Sequence, residues 1–272
     1  MRQIYFLSLF FIITSCNKES LSWSEGPQWD FIVEGGISTL DSVQYIKLSR
    51  PFLLFEEDAA DLDSAIVTVS NGTDVFYFEQ TADKGVYRGI VPVRADGPTV
   101  YHLTIHSEGN TYEATDSLFK FMGGGNAVMD KFVVEGSTVK INYAKHNFGR
   151  RNAGLFLLQR APSTWQPFPK EGSPNYSYSH PFGAPNALGQ ILSPSISHVF
   201  NTTDSVDLYF FSVSPAYSKF LYGVFRETDW KGLLSSASGN VKGNMSGNAG
   251  GFFYVMDGVK RRRSLPKNLS AE

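Results

Sequence analysis

Val100-Tyr101-His102-Leu103-Thr104-Ile105-His106 is the stretch that decides the fold class. Its side chains alternate, with Tyr101, Leu103 and Ile105 on one side and the two histidines and Thr104 on the other. This period of two is typical of a β-strand that buries one face and exposes the other. The stretch therefore predicts a sheet with one buried face, and the flanking sequence predicts the other strands.

Six further short runs of β-branched and aromatic residues surround this strand before residue 120. Asn71-Gly72 separates two of them and is typical of a hairpin turn, and Gly35-Gly36 is predicted to end the first. Short, closely spaced strands of this kind predict an antiparallel β-sandwich of immunoglobulin-like or fibronectin III-like type over residues 31–120. The runs lie at 31–37, 45–49, 65–69, 75–79, 86–87 and 111–115.

A second antiparallel β-sandwich is predicted over residues 131–263, after a glycine-rich linker at 121–130 that contains Gly123-Gly124-Gly125. One amphipathic helix at 215–228 is inserted in it. Ser214 suits an N-cap, Pro215 suits the first helical position, and an apolar stripe follows helical spacing. The helix is expected to pack on the second sandwich, and residues 264–272 form a tail. The strand runs lie at 131–136, 139–143, 154–158, 206–213 and 252–256.

Composition and charge restrict the class of partner. Aromatic residues make up 14% of the 272 residues, and the formal net charge is −2. Since proteins that bind nucleic acid carry a strong basic field, this balance argues against nucleic acid as a partner.

The N-terminal segment predicts export and lipid attachment. Arg2 precedes an apolar segment at 4–13, which is too short to span a bilayer and suits a cleaved signal peptide over residues 1–15. Ile13-Thr14-Ser15-Cys16 matches a bacterial lipobox, and Cys16 is the only cysteine of the chain. Its thiol would form the thioether to diacylglycerol, so that acyl chains anchor the protein in the membrane. The alternative is a plain secretory signal beside a chance cysteine.

A lipidated tether is predicted over residues 16–30. Lys18 and Glu19 closely follow the lipid-bearing cysteine and resemble the signal with which Bacteroidetes export lipoproteins to the cell surface. The predicted location is therefore the outer membrane, on its cell-surface face. The alternative is a solvated tether without an export signal.

A set of ordered motifs runs through nearly the whole mature chain. They are the residues at 31–37, 46–49, 65–69, 85–87 and 101–105, then Asn240-Val241, Gly243-Asn244 and Gly250-Gly251-Phe252-Phe253. Their order resembles the domain-of-unknown-function 4249 (DUF4249) outer-membrane lipoproteins of Bacteroidetes, although the segment from Lys260 onward departs from that pattern. The resemblance implies an immunoglobulin-like or carboxypeptidase-regulatory-like first domain and association with TonB-dependent, SusC-like receptors. It supplies no catalytic residue.

Residues 162–194 form a long segment without periodicity, and long loops of this kind are often functional. Exposed aromatic rings stack on sugars and anchor protein interfaces. The aromatic side chains of this loop are therefore candidates for contact with a partner or ligand. They are Trp165, Phe168, Tyr176, Tyr178 and Phe182. The alternative is that the same rings pack the loop onto its own domain.

Catalytic and metal-binding motifs are not recognised in the sequence. The chain lacks a Gly-x-Ser-x-Gly elbow, and its histidines at 102, 106, 146, 180 and 198 show no His-Glu-x-x-His spacing. His102 and His106 share a strand face but lie about 13 Å apart along a strand, so one metal ion cannot readily bind both. We therefore expect a non-enzymatic protein without a cofactor or metal.

Two charged clusters allow two interpretations each. Glu57, Asp58, Asp61 and Asp63 belong to an acidic loop that would either offer oxygen ligands to calcium or be solvated. The basic run at 260–263 would either contact anionic lipid headgroups or end a last strand in solvent.

These features together predict a non-enzymatic, surface-exposed outer-membrane lipoprotein that serves as an accessory subunit of an outer-membrane complex. Its partner would be a TonB-dependent SusC-like receptor, a SusC/SusD-like pair or another outer-membrane β-barrel. The alternative is a surface lipoprotein that binds a glycan or peptide through the aromatic loop at 162–194. An enzyme is the third possibility.

Overall fold

The computed structural model describes residues 29–51, 62, 64–97, 99–122, 132–168, 174–184, 195–228 and 241–265. Within these ranges the chain is mainly β with one helix, which confirms the predicted class. No helix in these ranges combines the length and hydropathy needed to cross a bilayer. The elements are β1 (Phe31–Ser38), β2 (Val43–Ser49), β3 (Ile66–Ser70), β4 (Val75–Gln80), β5 (Val86–Ile90), β6 (Val100–Ser107), β7 (Asn110–Ser117), β8 (Phe132–Glu135), β9 (Thr138–Ala144), β10 (His146–Asn147), β11 (Gly154–Arg160), β12 (Ser177–Ser179), β13 (Ser195–Asn201), β14 (Ser205–Ser212), α1 (Pro215–Thr228) and β15 (Ala249–Ser264).

Twelve of these strands form one mixed sheet, in the order β10-β12-β11-β14-β15-β1-β2-β5-β4-β3-β6-β7. The strands β13-β9-β8 form a second, smaller sheet. Among the described strand pairs, neighbours run antiparallel except for β1 with β15 and β10 with β12. The alternation in β6 agrees with the prediction, because Tyr101, Leu103 and Ile105 are buried while His102 and His106 are exposed.

Strand β15 connects the two halves of the chain. Its first eight residues pair in parallel with β1, from Ala249 opposite Phe31 to Met256 opposite Ser38. Its last eight residues pair antiparallel with β14, from Asp257 opposite Ser212 onward. A strand of 16 residues is about 50 Å long. The main sheet is therefore continuous between the two regions that the sequence predicts as separate domains.

Strands β1 to β7 and the first half of β15 enclose the first core. The sheet curls until β7 lies beside β15, where Val255 N donates a hydrogen bond to Asp116 Oδ2 at 2.9 Å. Each of these strands contributes buried side chains to the interior, among them Val33, Leu103 and Phe253. Burial of one such side chain contributes about 1.5–3 kcal/mol.

The second half of the chain has three layers, because β11 and β14 are buried on both faces. The face that carries Phe156 and Phe210 packs on the small sheet. The opposite face, with Leu157 and Phe211, packs on the aromatic loop and on α1. Burial on both faces explains why residues 154–158 form a continuous apolar run instead of an alternating one.

Helix α1 has the predicted bounds. Ser214 Oγ accepts a hydrogen bond from Tyr217 N at 3.0 Å, which is the expected N-cap. The ring of Tyr217 lies 5.0 Å from the rings of both Phe252 and Tyr254. The helix thus packs on the first half of β15 as well as on the second half of the chain.

Gly35 and Gly36 lie inside β1, so the prediction that they end this strand is wrong. A Cβ on Gly36 would lie 2.0 Å from Tyr254 O, and Gly35 has a φ of 124°. The missing side chains let β15 approach β1 closely and let the strand continue to Ser38.

Asn244 explains part of the closing sequence motif in structural terms. Its Oδ1 accepts a hydrogen bond from Phe253 N at 3.0 Å, and its Nδ2 donates to Phe253 O at 2.8 Å. The side-chain amide therefore takes the place of a neighbouring strand along this edge of β15.

The sequence does not predict β10, β12 or β13. The first two contain only two and three residues, which is too short for a periodic pattern. In β13, Ile196 and Phe200 are the buried residues, and the alternation is masked because polar His198 lies between them on the same face and apolar Val199 is exposed.

Candidate functional site

Most aromatic residues of the predicted contact loop lie on the main sheet. Trp165 Nε1 donates a hydrogen bond to Tyr176 Oη at 2.7 Å, and the ring of Trp165 lies 5.1 Å from that of Phe211. Tyr178 packs in the same apolar cluster. These three residues of the loop therefore pack against the main sheet.

Phe168 and Phe182 contact other elements. Phe168 lies against β1, where a Cβ added to Gly35 would come within 3.2 Å of Phe168 Cζ. The ring of Phe182 lies 5.0 Å from that of Tyr222 on α1, and Phe182 is 37% exposed. Of the five predicted contact residues, Phe182 is the exposed one.

The loop begins over a buried carboxylate, that of Asp207. Ser163 N and Oγ donate to Asp207 Oδ2 at 2.8 and 3.0 Å, and Arg262 Nε donates to Oδ1 at 2.8 Å. Lys260 Nζ lies 3.1 Å from Oδ2. The hydrogen bond from Arg262 is the main reason that the pKa of Asp207 lies well below its usual range. Two residues of the basic run are thus held by contacts within the protein.

A buried pair of histidines is present that sequence reasoning missed. His146 Nδ1 lies 3.0 Å from His180 Nε2, although the two residues are 34 positions apart. The parallel pairing of β10 with β12 brings them together, and the rings of Phe148 and Phe225 pack around them. Burial, and to a smaller extent His146, lowers the pKa of His180 to about 4. His180 is therefore neutral at pH 7, and one of the two rings donates the shared hydrogen bond.

A cleft of about 1020 Å³ opens between the small sheet and the main sheet. Its inner wall is apolar and includes Tyr143, Phe156 and Phe210, while Phe119 and Phe182 line its more exposed part. We call this feature the junction cleft. Its described lining residues lie within segments 119–122, 142–156, 179–182 and 210–215, together with Ser195.

Among the described lining residues of the junction cleft, the charged ones are all cationic. Lys120, Arg150 and Arg151 line it, and all three are exposed. No aspartate or glutamate occurs among the described lining residues. None of the three cations forms an ion pair with a carboxylate in the described part of the chain. The arrangement suits binding of a negatively charged group beside an apolar surface.

The other predicted site residues lie outside the described ranges. They are Cys16, Lys18 and Glu19 in the N-terminal segment and Glu57, Asp58, Asp61 and Asp63 in the acidic loop. The triglycine of the predicted linker lies outside them as well.

His102 and His106 face outward, as predicted. Their Nδ1 atoms lie 2.9 Å from Thr115 Oγ1 and 2.8 Å from Thr111 Oγ1. Within the ranges that the structure describes, no three histidine, cysteine, aspartate or glutamate residues are grouped so that they would hold a metal ion.

Comparison with known proteins leaves the family open: no protein-family model matches the chain, and no curated protein is significantly similar to it. The resemblance to the DUF4249 lipoproteins stays a prediction from the sequence.

Proposed function

We propose that this protein is a non-enzymatic outer-membrane lipoprotein, held at the cell surface by an acyl lipid on Cys16, that acts as an accessory subunit of an outer-membrane complex. The lipobox and the residues Lys18 and Glu19 support the location. The resemblance to DUF4249 lipoproteins supports a SusC-like receptor or another outer-membrane β-barrel as the partner. We further propose that each half is a sandwich unit of immunoglobulin-like or fibronectin III-like type, and that β15 joins the two.

The observation that carries this proposal is the position of Asp30, the residue that precedes β1. Asp30 accepts hydrogen bonds from Tyr112 Oη at 2.6 Å and from Asn248 Nδ2 at 3.1 Å. These contacts hold Asp30 next to the residue that precedes β15, so a tether that ends at Asp30 would join the fold at this end of β15. Because β15 is about 50 Å long, its other end lies far from the tether. A lipid on Cys16 would hold the first half near the membrane and present the second half to a partner.

A ligand-binding role is the second candidate, and the junction cleft favours it. Its volume of about 1020 Å³ lies near the upper end of the usual range for ligand sites, about 300–1,000 Å³. The aromatic loop contributes Ser179, Pro181 and Phe182 to its wall. In this candidate a glycan or peptide lies in the cleft, while the packed rings of Trp165 and Tyr176 hold the loop in place.

The anchor is tested by mass spectrometry of the mature N-terminus and by membrane fractionation. We expect a diacylglycerol thioether on Cys16, loss of the protein from the membrane fraction in Cys16→Ala, and no change in the control Ser20→Ala. An unmodified Cys16, or membrane association that survives Cys16→Ala, would contradict the anchor. Lys18→Ala with Glu19→Ala should reduce cleavage by external protease in intact cells, and unchanged cleavage would contradict the export signal.

The accessory role is tested by solubilising native membranes in mild detergent and separating complexes in native gels. We expect the lipidated protein to migrate with an integral outer-membrane protein, which mass spectrometry then identifies. A lone monomer that binds a glycan or peptide would instead support the second candidate.

A further inference from the structure

We propose that the junction cleft binds an organic anion, in which a carboxylate or phosphate head is joined to an apolar, ring-sized body. The inference rests on the ligand-binding candidate above and does not depend on the lipid anchor. It specifies the chemical class of ligand that this cleft would take.

The charge of the cleft determines the sign of the ligand. The whole chain carries a formal net charge of −2, whereas the described lining of the cleft carries Lys120, Arg150 and Arg151 and no carboxylate. These cations form no ion pair within the described ranges. Arg150 and Arg151 are consecutive in the sequence. A guanidinium group suits a planar carboxylate or a phosphate, because it offers several N–H donors in a fixed geometry.

The cleft also has a surface for the apolar body of the ligand. Phe182 is 37% exposed and Phe119 is 43% exposed, and both line the cleft. Deeper in the wall lie the buried rings of Tyr143 and Phe210. Aromatic side chains favour stacked or edge-on contact with a ring, so a flat apolar body fits this wall better than a fully polar ligand.

The arginines and Phe182 are held together by the backbone. Gly149 N donates a hydrogen bond to Phe182 O, and Arg150 N donates to His180 O, both at 2.9 Å. On the other side Tyr222 Oη, from α1, donates to Gly183 O at 3.0 Å. The backbone segments that carry Arg150 and Phe182 are therefore already positioned, so that binding would order exposed side chains rather than these segments.

The test uses the mature lipidated protein in nanodiscs of neutral phosphatidylcholine, with empty discs as the blank. Calorimetry compares three probes with the same ring system: 2-naphthoate, 2-naphthyl phosphate and uncharged 2-naphthylmethanol. We expect one of the anions to bind at least about tenfold more tightly than the alcohol, and its affinity to fall with added salt. The stronger of the two anions identifies the head group.

Two matched variants distinguish the effect of the charges in the cleft from the effect of the protein's net charge. Arg150→Glu with Arg151→Glu should weaken binding of the anion at least about tenfold, while Lys84→Glu with Lys140→Glu makes the same change in net charge at exposed sites outside the cleft and should leave it unchanged. Phe182→Ala should weaken binding of all three probes.

Three results would overturn the inference. If the alcohol and the anions bind with equal affinity, and the Arg150→Glu, Arg151→Glu variant binds them equally well, the cleft binds ligands but does not select anions. Equal weakening in both charge variants would assign the effect to bulk charge. If no probe binds, although circular dichroism shows that the protein is folded as a β-protein, both parts of the proposal are wrong: the cleft then binds neither an anionic head nor an apolar ring.

Discussion

The two halves of β15 belong to one strand and yet have different surroundings. Residues Ala249–Met256 pair with β1 and are almost entirely buried, with the polar groups of Asn244 and Asp116 completing the other edge. From Gly258 to Ser264 the strand pairs with β14, is mostly exposed and carries the basic run. One continuous strand can therefore lie in the centre of a core over its first half and at the surface, fixed by ion pairs, over its second half.

The largest expected effect is the replacement of a buried ring in the first half of β15. Phe253 is fully buried in the first core, so Phe253→Ala should lower the free energy of unfolding by about 3–5 kcal/mol. Arg263→Ala, in the exposed second half, should change it by no more than about 0.5 kcal/mol. Urea denaturation followed by circular dichroism measures both. If the two variants lose similar amounts of free energy of unfolding, the first half of β15 does not contribute more to the core than the second half.

Much of the fold is predictable because local patterns report it. The alternation of Tyr101, Leu103 and Ile105 predicts a strand, and the cap at Ser214 with Pro215 predicts where α1 begins. The long pairing of β15 is not predictable in this way, because a strand's partners depend on backbone register between residues more than 200 positions apart. Gly35 and Gly36 mislead for the same reason, since the strand that approaches them comes from the other end of the chain.

The candidate site is less predictable than the fold. The aromatic loop is conspicuous in the sequence, but whether a ring packs inward like Trp165 or outward like Phe182 depends on contacts with Phe211 and Tyr222. The pair His146 and His180 has no spacing signal, since its members meet only after two very short strands pair.

The next largest expected effect is a difference between the two halves in how their stability depends on pH. The pKa of His180 is lowered to about 4 in the folded protein, below the usual value of about 6.5, so the unfolded chain binds this proton first. Stability should therefore fall as pH decreases from about 6.5 to 4, by up to about 3 kcal/mol. Burial raises the pKa of Asp116 in the first half. The change of stability with pH therefore has the opposite sign for this group, because lowering the pH favours the folded state.

Hydrogen exchange at pH 7 and pH 5 measures this difference. We expect amides of β11 and β12 to lose protection at pH 5, and amides of β1 and β2 to lose less. His180→Gln should reduce the pH dependence of β11 and β12. Equal loss of protection in both halves, or an unchanged pH dependence in the variant, would contradict the assignment to His180.

A smaller effect is expected at the carboxylate that holds the basic run. Asp207→Asn keeps the shape but removes the charge that Arg262 and Lys260 contact, and it should cost about 1–3 kcal/mol at pH 7. Because the folded pKa of Asp207 is depressed, its contribution is present above about pH 4 and declines as pH falls below that. The variant should therefore also show a weaker pH dependence of stability below pH 4.

Urea denaturation at pH 7 and at pH 3 measures both parts of this prediction. Glu79→Gln, an exposed position on β4, is the matched control and should change stability by no more than about 0.5 kcal/mol. Equal effects of Asp207→Asn and Glu79→Gln at pH 7 would mean that the second half of β15 is not held by Asp207.

The smallest effect concerns Arg261, whose guanidinium carbon lies 5.8 Å from the centre of the Phe210 ring. Arg261→Ala should lower the free energy of unfolding by about 0.5–1 kcal/mol through loss of this cation–π contact, and Arg261→Lys should retain part of it. Urea denaturation of both variants, with Arg263→Ala as the reference for an exposed cation, measures the difference. If Arg261→Ala matches Arg263→Ala instead, Arg261 is not fixed on the sheet, and the second half of β15 presents two cations to solvent. A loss confined to Arg261→Ala would mean that three of the four basic residues serve the fold, because Lys260 and Arg262 already contact Asp207.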